Sequence, residues 1–246
     1  MSGHSKWHSI KHKKAATDAK RGKIFTKHAK LIEMAARRGT DPEMNSSLRL
    51  AIDNAKADNT PNENIQRAIK KGSGEDKNAA QIEEITYEAF GPSGTAMLIE
   101  CLTNNKNRTH PLIKTIVNKK GGNIGSSGTV NWMFMKKGVI FVKKTKNDED
   151  LEMAAIEANA EDLEMLDNIM IVYTKMEDFM NVKKSLEDQG LEIENATIKY
   201  IAKESIKITS KEDAEKITNL IEALEEDDDV SEIYTNADID ENLLAE

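Results

Sequence analysis

The sequence predicts an α+β protein: an N-terminal three-helix domain followed by two ferredoxin-like α/β domains, one inserted in the other. Three observations predict it. Apolar residues recur at helical spacing through roughly the first 70 positions and then switch to alternation. From Gly138 onward the strand and helix signals follow the order βαββαβ, the split βαβ unit. The chain has 246 residues, more than one average domain, and its 38% hydrophobic content is enough to fill several cores.

The segment from Ala15 to Gly39 reads as the first helix, ended by Gly39 after Arg37 and Arg38. Ile24, Phe25, Leu31, Ile32, Ala35 and Ala36 fall on one side of it, and Lys20, Lys23, Lys27, Lys30, Arg37 and Arg38 on the other. His28, amid the apolar side, reads as a packed residue. A second helix covers Ser46 to about Asp58. A third opens with Thr60 as N-cap, Pro61 at the first helical position and Glu63 completing a capping box, and closes at Gly72. These helices form a basic domain over residues 1–78, and "GSGEDKNAAQ", residues 72–81, reads as a linker.

Beyond it, "ITYEAFGPSGTAMLIECL" gives a strand, a turn and a second strand, and a helix runs from about Asn107 to Lys120. "GGNIGSSG" reads as a flexible turn. Val130, Trp132 and Phe134 alternate as in a half-buried strand. The βαββαβ unit then occupies residues 136–203. A helix over Lys211–Glu225 and the strand "SEIYTN" supply what residues 79–135 lack, so 79–135 plus 204–246 form a discontinuous α/β domain.

No apolar run reaches the roughly 18 to 20 residues of a membrane span, and the start lacks the apolar region of a secretory signal. The Lys- and His-rich start, with only Trp7 and Ile10 as large apolar groups, is a poor mitochondrial presequence. A cytoplasmic location and a monomer are expected. The single cysteine, Cys101, lies in "AMLIECL" and reads as a small buried hydrophobe.

The formal net charge of −8 conceals a bipolar chain. Residues 1–75 hold 16 Lys and Arg against 8 Asp and Glu, a net of +8, and the remainder carries −16. Residues 1–30 contain eight Lys and one Arg against the lone Asp18. A basic module on an acidic body is the footprint expected where one end meets phosphates.

Within "HSKWHSIKHKK" and the helix after it, Lys6, Lys11, Lys13, Lys14, Lys20, Arg21, Lys23, Lys27 and Lys30 are candidate phosphate contacts. Trp7 either stacks on an unpaired base or anchors the segment onto the helical core. His4, His8 and His12 recur every four residues, but with no carboxylate or thiolate nearby a metal site is not expected. His8 and His12 fit better as donors to phosphate. In "TNNKNRT", Lys106 and Arg108 sit where a strand gives way to a helix N-terminus; the segment reads equally as an anion site or as a loop capped by Asn107 or Thr109.

Other patterns carry no chemistry. "GGNIGSSG" is not a nucleotide-binding fingerprint, because it follows a helix rather than a strand. "EEDDD", residues 225–229, lacks the alternation of a calcium loop and reads as solvated. No nucleophile elbow, zinc-protease or paired-cysteine motif is present, so neither an enzyme nor a cofactor is expected.

"GHSKWHSIKHKKAATDAKRGKIFTKHAKLI", with "NKNRT", "GGNIGSSGTVNWMF" and "KKGVI", resembles the YebC/PmpR family, which includes a mitochondrial translational activator. The resemblance spans essentially the whole chain. It implies three domains, one helical and two α/β, and a non-enzymatic role as a DNA-binding transcriptional regulator. It also implies the alternative of a ribosome-associated factor, bound to rRNA, that helps translation through proline-rich stretches. The chain departs from the family pattern in the Pro of "RTHPLIK", which puts the geometry near Arg108 in doubt, and in "GPSG". Independently of the family, the acidic domains could dock onto basic partners such as ribosomal proteins.

Overall fold

The computed structural model describes residues 18–74 and 81–243. Three helices come first: α1 (Asp18–Ala36), α2 (Ser46–Ala57) and α3 (Asn62–Gly72). Ile32 and Ala36 of α1, Leu48, Ile52 and Ala55 of α2, and Ile65 and Ala68 of α3 close their core. Ile24, Phe25 and Leu31 are only half-buried. Asn45 organises the first turn. Its Oδ1 accepts the Leu48 N–H, capping α2, while its Nδ2 donates to the carbonyls of Ala35 and Gly39.

The start of α3 differs from the sequence reading. Pro61 is the N-cap, no side chain caps the helix, and Glu63 pairs with Arg67 at 2.7 Å. The Thr60 N–H bonds back to the Ala55 carbonyl, which turns the Thr60 side chain into the core. Its hydroxyl therefore caps nothing and is buried without a partner among the described residues. Gly72 does more than end α3. A Cβ there would lie 2.4 Å from the Glu33 carbonyl oxygen and 2.7 Å from the Ala36 Cβ, so the glycine lets α3 approach α1.

The second unit begins with β1 (Glu83–Phe90), β2 (Ala96–Thr103), α4 (Lys106–Lys119) and β3 (Asn123–Ile124). The third comprises β4 (Phe134–Lys143), α5 (Asp148–Glu157), β5 (Asp162–Met165), β6 (Ile169–Thr174), α6 (Phe179–Asp188) and β7 (Ile193–Ala202). The chain then returns with β8 (Ile206–Ile208), α7 (Lys211–Glu225), β9 (Val230–Thr235) and β10 (Ala237–Ile239).

Two four-stranded antiparallel sheets result. One has the order β3-β1-β2-β9, with Met97, Ile99, Cys101 and Ile233 packed against Ile113 and Val117 of α4 and against Ile217, Leu220 and Leu224 of α7. The other, β5-β6-β4-β7, has the order of the split βαβ unit and packs Ile140, Val142, Met170 and Val172 against α5 and α6. β8 and β10 form a small parallel pair.

Residues 130–133 are not a strand. Val130 is buried, Asn131–Met133 make one turn of 3₁₀ helix, Trp132 is 63% exposed, and β4 begins only at Phe134. The cause is Glu88. Its buried carboxylate accepts the backbone N–H groups of Gly128, Val130 and Asn131 at 2.7–2.8 Å, which curls the segment around one anion. Burial alone would raise the Glu88 pKa, but these backbone donors outweigh it and hold the carboxyl below its ordinary range. The preceding glycine-rich loop is tied to β1 by the N–H groups of Gly125 and Gly128, which donate to Glu88.

Contacts join the three units. Ala96, Leu98 and Tyr234 of the first sheet pack with Phe134 and Ala202 of the second. Asn54 of α2 pairs with the backbone of Ala196 in β7, donating to its carbonyl at 2.8 Å and accepting its N–H at 3.2 Å, as a neighbouring strand would. Asp229, 8% exposed, accepts from Lys30 of α1, from Thr103 at the end of β2, and from Arg108 and Thr109 of α4. Burial would raise its pKa; hydrogen bonds from Arg108, Thr109 and Lys30 win and lower it.

Gly72→Ala gains about 1 kcal/mol of helix propensity, yet it is expected to destabilise the full chain by about 1–3 kcal/mol in chemical denaturation, because two helices must move apart. A neutral or stabilising result would show that α1 and α3 have room. Asp229→Asn is expected to cost about 1–3 kcal/mol at neutral pH. Since the folded state depresses this pKa, the stabilisation is present above about pH 4 and fades as the pH falls through the lowered value. Stability curves of parent and variant should therefore converge in acid, and a constant gap would remove ionisation from the account.

Candidate nucleic-acid interface

The sequence places its phosphate-binding candidates in two groups. Of the first, Lys6, Trp7, His8, Lys11, His12, Lys13 and Lys14 lie outside the described residues, as does the side chain of Lys20. Arg21 stands exposed near the start of α1. Lys23, Lys27 and Lys30 follow at i, i+4 and i+7 and share one side of the helix.

That side is half-buried against other parts of the protein. Lys23 Nζ donates to the carbonyls of Glu225 at 3.2 Å and Glu226 at 2.5 Å, at the C-terminus of α7. Lys27 pairs with Glu232 of β9. Lys30 Nζ donates to the carbonyls of Leu102 at 2.9 Å and Asp228 at 2.7 Å and to Asp229 Oδ1 at 3.1 Å. The arrangement has a simple electrostatic cause. The end of α7 exposes unpaired carbonyls and the negative pole of its dipole, and its own last turn carries no Lys or Arg. Lysines from α1 supply the missing positive charge. Residues 225–229 are therefore a docking loop, not a solvated one.

The second group is also engaged. Asn105, not Asn107 or Thr109, caps α4, its Oδ1 accepting the Arg108 N–H at 3.1 Å. Thr109 is buried and bonds Thr103 and Asp229. The Arg108 guanidinium donates to Asp229 at 2.5 Å, and Lys106 pairs with Glu83. Pro111 sits six residues into α4, in its second turn, and the helix runs on through it to Lys119.

The structure thus brings Lys30 and Arg108, from opposite ends of the sequence reading, onto a single carboxylate. An incoming phosphate near either would meet Asp229, the lone pairs of four main-chain carbonyls and Glu232 before it met an unengaged ammonium. In this arrangement Lys23, Lys27, Lys30, Lys106 and Arg108 hold the protein together.

His28 is 5% exposed and contacts Asp58 Oδ2 through Nε2 at 2.6 Å, at the end of α2. Burial first, then Asp227 and Asp229, push the Cys101 thiol up to about 12, which makes it unsuited to nucleophilic chemistry. Burial and neighbouring Glu84 raise the Glu100 carboxyl to about 7, where it accepts the Tyr234 hydroxyl at 3.0 Å. Among the described residues no three His, Cys, Asp or Glu side chains are grouped to hold a metal ion, and no helix is long and apolar enough to cross a membrane.

Comparison with known proteins covers nearly the whole chain. A family model described as the TACO1/YebC protein N-terminal domain matches residues 5–75, and one described as the TACO1/YebC second and third domain matches residues 82–237. A probable transcriptional regulatory protein of Thermoanaerobacter pseudethanolicus is 50% identical over 98% of this chain and 99% of its own length. One of the same description from Caldanaerobacter subterraneus is 49% identical over 98% of this chain and 100% of its own. The crystal structure of a conserved hypothetical protein from Aquifex aeolicus superposes with a TM-score of 0.89 at 43% identity, covering 96% of this chain and 98% of that one. The fold just described and both family matches lead to one conclusion: the chain belongs to the TACO1/YebC family.

Proposed function

We propose that this protein is a non-enzymatic, nucleic-acid-binding regulator of gene expression in the cytoplasm, acting as a monomer without a cofactor. The observation that carries this reading is the charge of the leading segment. Nine basic residues stand against one acid in residues 1–30, on a chain whose net charge is −8. Like charges at that density repel unless a polyanion joins them, and binding to phosphates releases condensed counterions. The names of the relatives, probable transcriptional regulatory proteins, favour DNA as the ligand.

Because Lys23, Lys27 and Lys30 are engaged within the protein, the grip on phosphate falls to Lys6, Lys11, Lys13, Lys14 and Lys20, with His8 and His12 beside them. A second reading is a ribosome-bound translation factor. Trp7 within the basic tract favours it, since an indole can stack on an unpaired RNA base for about 1–3 kcal/mol. Phosphate contacts alone confer no sequence choice.

Changing Lys11, Lys13, Lys14 and Lys20 to Glu is expected to weaken binding to duplex DNA or ribosomal RNA at least tenfold. It should also flatten the dependence of log K on log salt by about 0.9 per lost contact on a duplex. Unchanged affinity and slope would refute the reading. Sequencing of nucleic acid crosslinked in cells separates promoter DNA from ribosomal RNA.

A further inference from the structure

The acidic body contains one run that breaks its own pattern. Residues 101–147 include no Asp or Glu, whereas 43 acids in 246 residues would place about eight in a stretch of that length. The same run holds ten Lys and Arg.

Most of these cations have partners. Lys106 pairs with Glu83, Arg108 with Asp229, Lys137 with Glu161, Lys143 with Glu192 and Lys144 with Asp148. Lys136 lies over the Tyr200 ring, and Lys146 donates to the Gln189 carbonyl. Lys114, Lys119 and Lys120 are exposed, and among the described residues no carboxylate pairs with them. All three belong to α4 and its C-cap, and α4 is the one described α-helix that contains no acid.

We infer that the outward face of α4 is a second contact for the phosphodiester backbone of nucleic acid, built on Lys114 and Lys119 with Lys120 beside them at the C-cap. Thr109, Ile113 and Val117 define the buried side. At about 100° per residue, Lys114 and Lys119 flank the opposite side, with exposed Asn107, Pro111, Thr115 and Asn118 between them. That surface offers two cations at its borders and, around Pro111, neutral hydrogen-bonding groups, which suits a strand of phosphates and sugars.

Two opposing fields have to be weighed. The C-terminal pole of α4 amounts to about half a negative charge, against two full positive charges on Lys119 and Lys120. Glu226 and Asp227 line a groove of about 290 Å³ that Lys119 and Lys120 also border, and they oppose a phosphate inside it. The face makes the acidic body bipolar in its turn, and a bound strand would have cations both before α1 and along α4.

This inference rests on the proposed nucleic-acid binding, and its test distinguishes the two. The full-length triple variant Lys114→Gln, Lys119→Gln, Lys120→Gln is compared with the parent and with the N-terminal charge-reversed variant, on a mixed-sequence DNA duplex and on single-stranded RNA. The expected result is a salt slope lower by about 2–3 on duplex and about 2 on single strands, with at least tenfold weaker binding at low salt. Arg at the same three positions should restore both. Binding lost only in the N-terminal variant, with the α4 variant at parental affinity and slope, overturns this inference and leaves the proposed function standing. A parent that binds neither ligand overturns both.

Discussion

One buried carboxylate fixes the relation between the helical unit and the first sheet. Asp229 gathers Lys30 from α1, Thr103 from β2, and Arg108 and Thr109 from α4. Removing a carboxylate from water is costly, and only several donors in good geometry repay it. The four that do so come from three separate elements, so the cost is met only when those elements are assembled. Lys23 and Lys27 extend the same contact along α7 and β9. A helix whose charge pattern suggests a surface for phosphate is in this way committed to a surface of the protein's own acids.

The remaining joints follow the same logic of one polar group meeting several unpaired backbone or side-chain groups. Glu88 collects three backbone N–H groups and shapes the chain between α4 and β4. Asn54 satisfies both polar atoms of Ala196 on the edge of the second sheet, where an open strand would otherwise seek a partner. Apolar packing fills each unit and joins the two sheets at Leu98, Phe134 and Tyr234, and buried polar groups fix the other joints. The consequence is that Lys23, Lys27 and Lys30 of α1, with Lys106 and Arg108 at the start of α4, are committed to holding the fold.

Much of the fold is legible in the sequence because local periodicity decides it. The α7 boundaries, the β1–β2 hairpin and the βαββαβ order follow from spacing and turn residues alone. What failed to read out depends on contacts distant in sequence. Thr60 and Glu63 carry the signature of a capping box, but a backbone bond to Ala55 turns the threonine inward. Trp132 alternates with buried residues, but Glu88, more than 40 positions earlier, winds its segment into a turn and leaves the indole exposed. The candidate interface was legible as charge and not as geometry. Counting charges locates Lys23, Lys27 and Lys30, yet nothing local tells that residues 225–232, about 200 positions away, already engage them. The acid-free run through α4 was visible all along, hidden only by averaging over the acidic remainder.

The central claim is that the lysine stripe of α1 is spent inside the protein. Amine-reactive footprinting of the full-length protein, read lysine by lysine with and without nucleic acid, tests it most directly. Lys23, Lys27 and Lys30 should react slowly in the unliganded protein and no differently when nucleic acid is added, while Lys13 and Lys14 react fast and become protected. If Lys30 is as reactive as exposed Lys114 in the unliganded protein, or gains protection on adding nucleic acid, the stripe belongs to the ligand and the account is wrong.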